Sequence, residues 1–342
     1  MTDKLQGGYD VVVVGGGAAG LNGALMLARA RRSVVVIDSG KPRNAPAQGV
    51  HGLLGHDGVP PAELLERGRA EVRRYGGHVA SGSVTAASRD GDGFVVTLAD
   101  GRAVRARRLL VTSGLTDVLP DVPGVAERWG RQVLHCPYCH GWEVRDRAIG
   151  VLGSGPMSVH QALLWRQWSD AVTYVSHTMP PNDEQAEQLS ARGIPVVDGE
   201  VAALDEADAG RTVIRLADGT AVEVEGVVVS TRMVARARFL TGLGLEPTEH
   251  PSGMGEHIPA DATGRTAVAG VWVAGNVTDL MAQVGGAASA GAMAAAHLNV
   301  DLVTEETHGA VESHRDRWTE AASSVGVNAG LIEVASPVAG HE

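Results

Sequence analysis

The chain has only two cysteines in 342 residues. No disulfide framework can hold it together, so its stability has to come from buried apolar side chains. Aromatic residues amount to 4%, too few for the stacking platform on which single-stranded nucleic acid is read. Basic residues are in deficit, 29 against 40 acidic ones, for a net charge of −11. A surface of that sign disfavours phosphate backbones and anionic membranes. No apolar run approaches the ~18 residues of a membrane-spanning helix. The opening Met1-Thr2-Asp3-Lys4 lacks the basic-then-apolar pattern of a secretory leader. The expectation is a cytoplasmic protein with no nucleic-acid or membrane partner. In that compartment a lone cysteine pair points to catalysis or metal binding rather than to a structural staple. Glycine, in contrast, is abundant: its 45 residues cluster at strand-to-helix turns without a fixed period.

The first such turn is complete. Tyr9 to Val14 is a β-branched run suited to a strand buried on both faces, and it leads into Gly15-Gly16-Gly17-Ala18-Ala19-Gly20. A helix is expected from Leu21 to Ala30, and a second strand from Ser33 to Ile37 ends in Asp38. Gly15 permits the tight turn, Gly17 lets a pyrophosphate approach the backbone, and Gly20 lets helix and strand pack closely. The helix N-terminus offers N–H groups to phosphate, and Asp38, eighteen positions after Gly20, can accept from a ribose. Contacts to a dinucleotide are expected from this loop, including Ala18 and Ala19, and from Asp38 and Ser39. Arg43 and Asn44 follow closely enough to reach its phosphates or adenosine.

Leu109 to Gly114 is another strand running into a small-residue turn, and Gly270 to Asn276 repeats that form before a helix expected over residues 283–299. Together they resemble the returning strand and helix of two-dinucleotide flavoproteins. That resemblance implies FAD, with Val84, Ser113, Gly114, Gly275, Asn276, Gln283 and Val284 around it. His51 lies in a glycine-rich loop that approaches the flavin in such proteins. At the ribityl position those proteins usually carry Asp, whereas this chain has Asn276.

A second unit begins at Ala148. A short strand leads into Gly153-Ser154-Gly155-Pro156-Met157-Ser158, a helix is expected through about Trp168, and the next strand ends at Ser176. The interval from Ser158 to Ser176 equals that from Gly20 to Asp38, so the architecture is duplicated. A nicotinamide cofactor needs Asp or Glu at that strand end, or Arg for a 2′-phosphate. Instead there is Ser176-His177, no Lys or Arg occurs over residues 167–191, and Pro156 removes an N–H from the loop. The expectation is a fold kept as scaffold.

Between the two units lies Cys136-Pro137-Tyr138-Cys139-His140-Gly141-Trp142-Glu143. Over roughly residues 8–300 the chain resembles the low-molecular-weight thioredoxin reductases. The implied fold is α/β, with two Rossmann-like dinucleotide-binding domains and an FAD domain split in sequence. The expected layout is 1–117 and 245–304 for the FAD domain, 118–244 for the insert carrying the CxxC, and 305–342 as a C-terminal extension with one helix around Arg315 to Trp318.

Reductases of that family usually carry Asp after the second cysteine and a pair of arginines beyond the second unit's strand. With His140 and Ser176-His177 instead, the motif resembles that of flavin dithiol oxidases that close disulfides in sulfur natural products such as holomycin, gliotoxin and romidepsin. The resemblance implies a homodimer in which Cys136 meets a small-molecule dithiol and Cys139 passes electrons towards FAD and on to O2. His140 serves as the base, with His135 as a second candidate. Three other readings are open: an NAD(P)H-dependent disulfide reductase, a non-catalytic flavin redox sensor, and a zinc site from His135, Cys136, Cys139 and His140. The last lacks the second separated ligand pair that tetrahedral sites draw on. A protein without a nicotinamide step has no need of the interdomain rotation of reductases, so a fixed arrangement is expected.

Overall fold

A computed structural model describes residues 5–324, and the boundary between its two compact units falls between Ala296 and His297. In chain order the elements of the first sheet region are β1 (Gly8–Val14), α1 (Ala18–Arg29), β2 (Val34–Asp38), α2 (Pro61–Arg74), β3 (His78–Ser81), β4 (Val84–Asp90), β5 (Gly93–Leu98) and β6 (Ala103–Val111). Then come β7 (Leu115–Val118), α3 (Val125–Arg128), β8 (Val133–Leu134), α4 (Pro137–His140), β9 (Ile149–Leu152), α5 (Ser158–Trp165), β10 (Val172–Val175), α6 (Asp183–Ala191) and β11 (Val196–Val197). A meander of β12 (Val201–Glu206), β13 (Thr212–Leu216) and β14 (Ala221–Val224) precedes β15 (Gly226–Val228) and β16 (Arg232–Ala235). The chain closes with β17 (Thr248–Glu249), β18 (Gly255–His257), β19 (Val271–Val273) and α7 (Val284–Ser324).

The valine run of β1 sits at the centre of its sheet. Val11, Val12 and Val13 are fully buried, and β1 pairs in parallel with β2 on one side and β6 on the other. Parallel strands covered on both faces favour such uninterrupted β-branched runs. Strand β6 is long enough to serve two partners: its first half pairs with β5, and Leu109 to Val111 pair with Val271 to Val273 of β19. The returning chain therefore completes the first sheet, and the domain built on that sheet is split in sequence. The second sheet, ordered β11-β10-β9-β15-β8, repeats the parallel pattern, with the antiparallel β12-β13-β14 beside it. Strands β7 and β16, the two crossings between the sheets, pair antiparallel with Met233 opposite Asp117, and β17 and β18 extend that small sheet. Each large sheet has its own apolar cluster, the first around Leu109 and Phe94, the second around Trp165 and Tyr174.

Helix boundaries differ from expectation in three places. Helix α1 begins at Ala18 rather than Leu21, because the end of the fingerprint already forms the first turn and donates Leu21 N–H to Gly17 O at 2.9 Å. Helix α5 stops at Trp165, and Trp168 lies just beyond it, packed edge-on against Tyr138. Helix α7 continues to Ser324, so the segment Arg315–Trp318 belongs to it rather than to a separate helix. Its sequence past Asn299 holds Ala, Glu, Val and Thr without a proline to stop it. The remainder of the C-terminal extension lies outside the described residues. No helix among the described residues is long and apolar enough to cross a membrane.

Candidate active site

Both glycine loops and the CxxC face one cleft of about 1170 Å³. Drug-sized ligands occupy sites of roughly 300–1,000 Å³, and this cleft exceeds that range. Of the residues singled out in the sequence, Gly15, Gly17, Ala18, Ala19, Asp38, Ser39, Arg43, Asn44, His51, Val84, Ser113, Gly114, Gly275, Asn276, Gln283, Val284, Cys136, Cys139 and His140 all line it. Gly20 does not. It stands behind the loop, where a Cβ would lie 1.9 Å from Gly15 O and 2.5 Å from Thr112 Oγ1. That is the close helix–strand approach that reserves the position for glycine.

Three features of the cleft suit FAD. The N-terminus of α1 has no side-chain cap, which leaves its first-turn N–H groups to a ligand. Ser113 Oγ is buried with no hydrogen-bond partner, in the wall between Thr112 and Gly114. A buried hydroxyl without a partner is costly, and a polar ligand atom removes that cost. Asp38, at the end of β2, lies close enough to Gly16 that a Cβ there would be 2.6 Å from its carboxylate. Arg69 of α2 bonds the same carboxylate at 3.1 Å.

Two expected contacts are used differently. The Arg43 guanidinium turns to Asp117 of β7, with Nε and one Nη donating to its two oxygens at 2.7 and 2.8 Å. Thr231 Oγ1 donates to the same carboxylate at 2.8 Å. Burial pulls the Asp117 carboxyl upward, but the guanidinium and the hydroxyl outweigh it and hold it below the usual carboxylate range. At Asn276 the amide Nδ2 donates to the carbonyls of Asp279, Leu280 and Ala282 at 3.0, 3.3 and 2.9 Å. Asn276 thus ties down the turn that feeds the start of α7. A carboxylate, which only accepts, would repel all three oxygens.

Cys136 and Cys139 are joined as a disulfide, with Cys136 N-terminal to the short helix α4 and Cys139 within it. Gly141 follows because a Cβ there would press within 2.8 Å of Trp168 and 2.5 Å of Pro137 O. Both candidate bases are held neutral. Burial depresses His140, opposed by Glu143 and aided by His51. Burial also depresses His135, aided by the charge of Arg43, and its Nδ1 faces Val229 O at 3.3 Å.

The second glycine loop has the topology of the first, but the N–H groups of its Ser154 and Gly155 are occupied. Ser154 and Gly155 N–H both donate to Ser158 Oγ at 3.1 Å. Ser158 is fully buried and within 3.1 Å of the Ser230 hydroxyl, which donates to Gln161 Oε1 at 3.0 Å. The strand end is also closed. Ser176 Oγ and His177 Nδ1 accept the N–H groups of Gly199 and Val201, each at 3.0 Å, and Thr178 N–H donates to Gly153 O at 3.1 Å. Sequence reasoning saw the missing arginines and Pro156 but not this serine network, because a serine at the third fingerprint position reads only as a lost glycine.

A flavin-sized cleft with a redox-active cysteine pair in its wall defines a dithiol–disulfide oxidoreductase. Residues 9–306 match the model of the pyridine nucleotide-disulphide oxidoreductases, and the chain belongs to that family. Its cofactor is FAD. The chain is 33% identical over 312 residues to thioredoxin reductase tcpT of Claviceps purpurea, covering 86% of this chain and 95% of that one. It is 31% identical over 310 residues to thioredoxin reductase sirT of Leptosphaeria maculans, covering 85% and 93%. Among solved structures, the crystal structure of HlmI superposes with a TM-score of 0.86 at 46% identity, over 93% of this chain and 99% of that one.

Proposed function

We propose that the protein oxidises a small-molecule dithiol to its intramolecular disulfide, with O2 as final acceptor and H2O2 as second product. The observation that carries this reading is the second glycine loop, whose Ser154 and Gly155 donors are consumed by Ser158. With those donors taken, Pro156 in the loop and no cation over residues 167–191, a nicotinamide dinucleotide has little to hold it. Electrons then enter as thiols. In this reading residues 118–244 are a scaffold that presents the dithiol, and the protein works as a homodimer in sulfur natural-product chemistry, as its motif's resemblance implies.

One substrate thiolate attacks Cys136 Sγ. The Cys136–Cys139 bond breaks, Cys139 leaves as thiolate, and a mixed disulfide forms. The second substrate thiolate then attacks the substrate sulfur of that bond, releasing the cyclic disulfide and the Cys136 thiolate. A thiol of ordinary pKa is only a few per cent ionised at neutral pH, so neutral His140 beside Cys139 takes up the proton. FAD, when bound, supplies the two-electron acceptor between the protein dithiol and oxygen. The balance is dithiol plus O2 to disulfide plus H2O2.

Mixing the FAD-loaded protein anaerobically with dithiothreitol or with NADPH tests the reading. Bleaching of the flavin by the dithiol alone is expected, with one H2O2 per disulfide once air is admitted, and Cys139→Ser should abolish the bleaching. Fast bleaching by NADPH would instead make the chain a disulfide reductase, as its relatives' names state. No reaction with either would leave a redox sensor.

A further inference from the structure

Glu143 closes the CxxC motif one turn beyond His140, and a loop from the other side of the cleft reaches it. His51 Nε2 lies 3.5 Å from Glu143 Oε1, and His51 Nδ1 lies 3.4 Å from Asp57 Oδ1. The loop is braced by the Val50–Val59 bridge and by Gly52 N–H, which donates to Asp57 Oδ1 at 3.0 Å. Exposure of the side chains rises from 26% at His51 to 69% at Asp57, with Glu143 at 43%.

We propose that Glu143 and His51 form a proton relay that carries the proton taken up at His140 out to Asp57 at the surface of the loop. The proposal rests on the dithiol reading above and assigns that site its proton route. An imidazole between two carboxylates receives a proton at one nitrogen and releases one from the other. The separations exceed hydrogen-bond length by roughly 0.5 Å, the slack common in unliganded sites. The charged groups facing His140 are Glu143, from its own segment, and His51, from the opposite loop. Those facing His51 are Asp57, Glu143 and His140 itself. Each dithiol oxidised releases two thiol protons and each O2 reduced to H2O2 takes up two. The route therefore serves both directions and adds no net proton to the balance. Glu143 and His51 act through His140 and are positioning residues.

The test is the rate of anaerobic flavin bleaching by dithiothreitol, followed from mildly acidic to mildly alkaline pH in FAD-saturated protein. Glu143→Gln should slow it about tenfold at neutral pH and move the acid limb of the profile to lower pH, because the carboxylate raises the His140 pKa. His51→Asn should slow it similarly and move the limb the other way, while Glu143→Asp should restore most of the rate. Both positions are partly exposed, so the melting temperature should be unchanged, and rates are compared at saturating FAD because His51 lines the cofactor cleft. Wild-type bleaching with variants of wild-type rate and profile would overturn the relay and leave the dithiol reading intact. So would a slower rate with an unmoved acid limb, which marks a structural role only. Failure of the wild-type protein to bleach with any dithiol would instead overturn the reading of the site.

Discussion

Replacing Arg43 with methionine would leave the Asp117 carboxylate, 7% exposed, without its cation. Removing one partner of a buried pair costs about 3–5 kcal/mol. Two features reduce that here: Arg43 itself is 27% exposed, so water can reach the gap, and the Thr231 hydroxyl remains bonded to the carboxylate. A loss of about 2–4 kcal/mol follows. The pH dependence has a definite sign. In the wild-type protein Asp117 titrates below its unfolded value, so the pair's contribution is present above about pH 4 and is lost as pH falls through the lower folded value. In the variant, burial without the guanidinium pulls the carboxyl up, and protonation relieves the penalty. The gap between the two proteins is therefore widest at neutral pH and narrows towards acid. Urea unfolding of both proteins at several pH values measures it. The double variant Arg43→Met/Asp117→Asn should recover to within about 1 kcal/mol of wild type, since no buried charge is left unpaired and the Thr231 hydroxyl can still donate to the amide oxygen. A single-variant loss below about 0.5 kcal/mol, the scatter of ordinary surface substitutions, or a loss independent of pH, would mean that Asp117 does not depend on Arg43 for its charge. The pair ties the loop after β2 to β7, one of the two crossings between the sheets, and Arg236 adds bonds to Thr116 Oγ1 and Lys41 O, both at 2.9 Å.

Asn276→Asp, which restores the residue usual at this position, should destabilise rather than improve the protein, by about 2 kcal/mol, because three amide bonds become carboxylate–carbonyl repulsions; thermal unfolding of the FAD-bound variant checks it, and equal or higher stability would contradict it. His140→Asn should cut dithiol-driven bleaching about thirtyfold at pH 7, the factor by which a thiol of pKa ~8.5 falls short of full ionisation. The acid limb of the wild-type rate should lie below the ordinary histidine value, since burial depresses His140, and in the variant it should rise towards that of the thiol; an unchanged profile would remove His140 from the base role.

The two strand–glycine–helix units, Asp38 and the CxxC were all legible in the chain, and the same physical reason lies behind each. They rest on residues near one another in sequence: a valine run that needs a sheet on both faces, a glycine where a Cβ would strike Thr112 O at 2.4 Å, two thiols two residues apart. Such patterns constrain local backbone directly. The return of β19 to β6 was also legible, but only through resemblance, since no local rule brings Leu109 beside Val271.

Tertiary structure alone decided the partners. Arg43 looked available for phosphate and is bonded to a carboxylate 74 positions away. Asn276 looked like a weaker aspartate, and its amide N–H groups are shared among three carbonyls. Ser158 looked like an absent glycine and fills the loop it belongs to, while Glu143 read only as the end of the cysteine motif until the loop of His51 was folded against it. Side-chain donors and charges choose among whatever the fold brings within about 3–4 Å, and sequence spacing holds no record of that choice. The chain's sequence thus settled which chemistry is carried, and its folding settled which groups remain free to perform it.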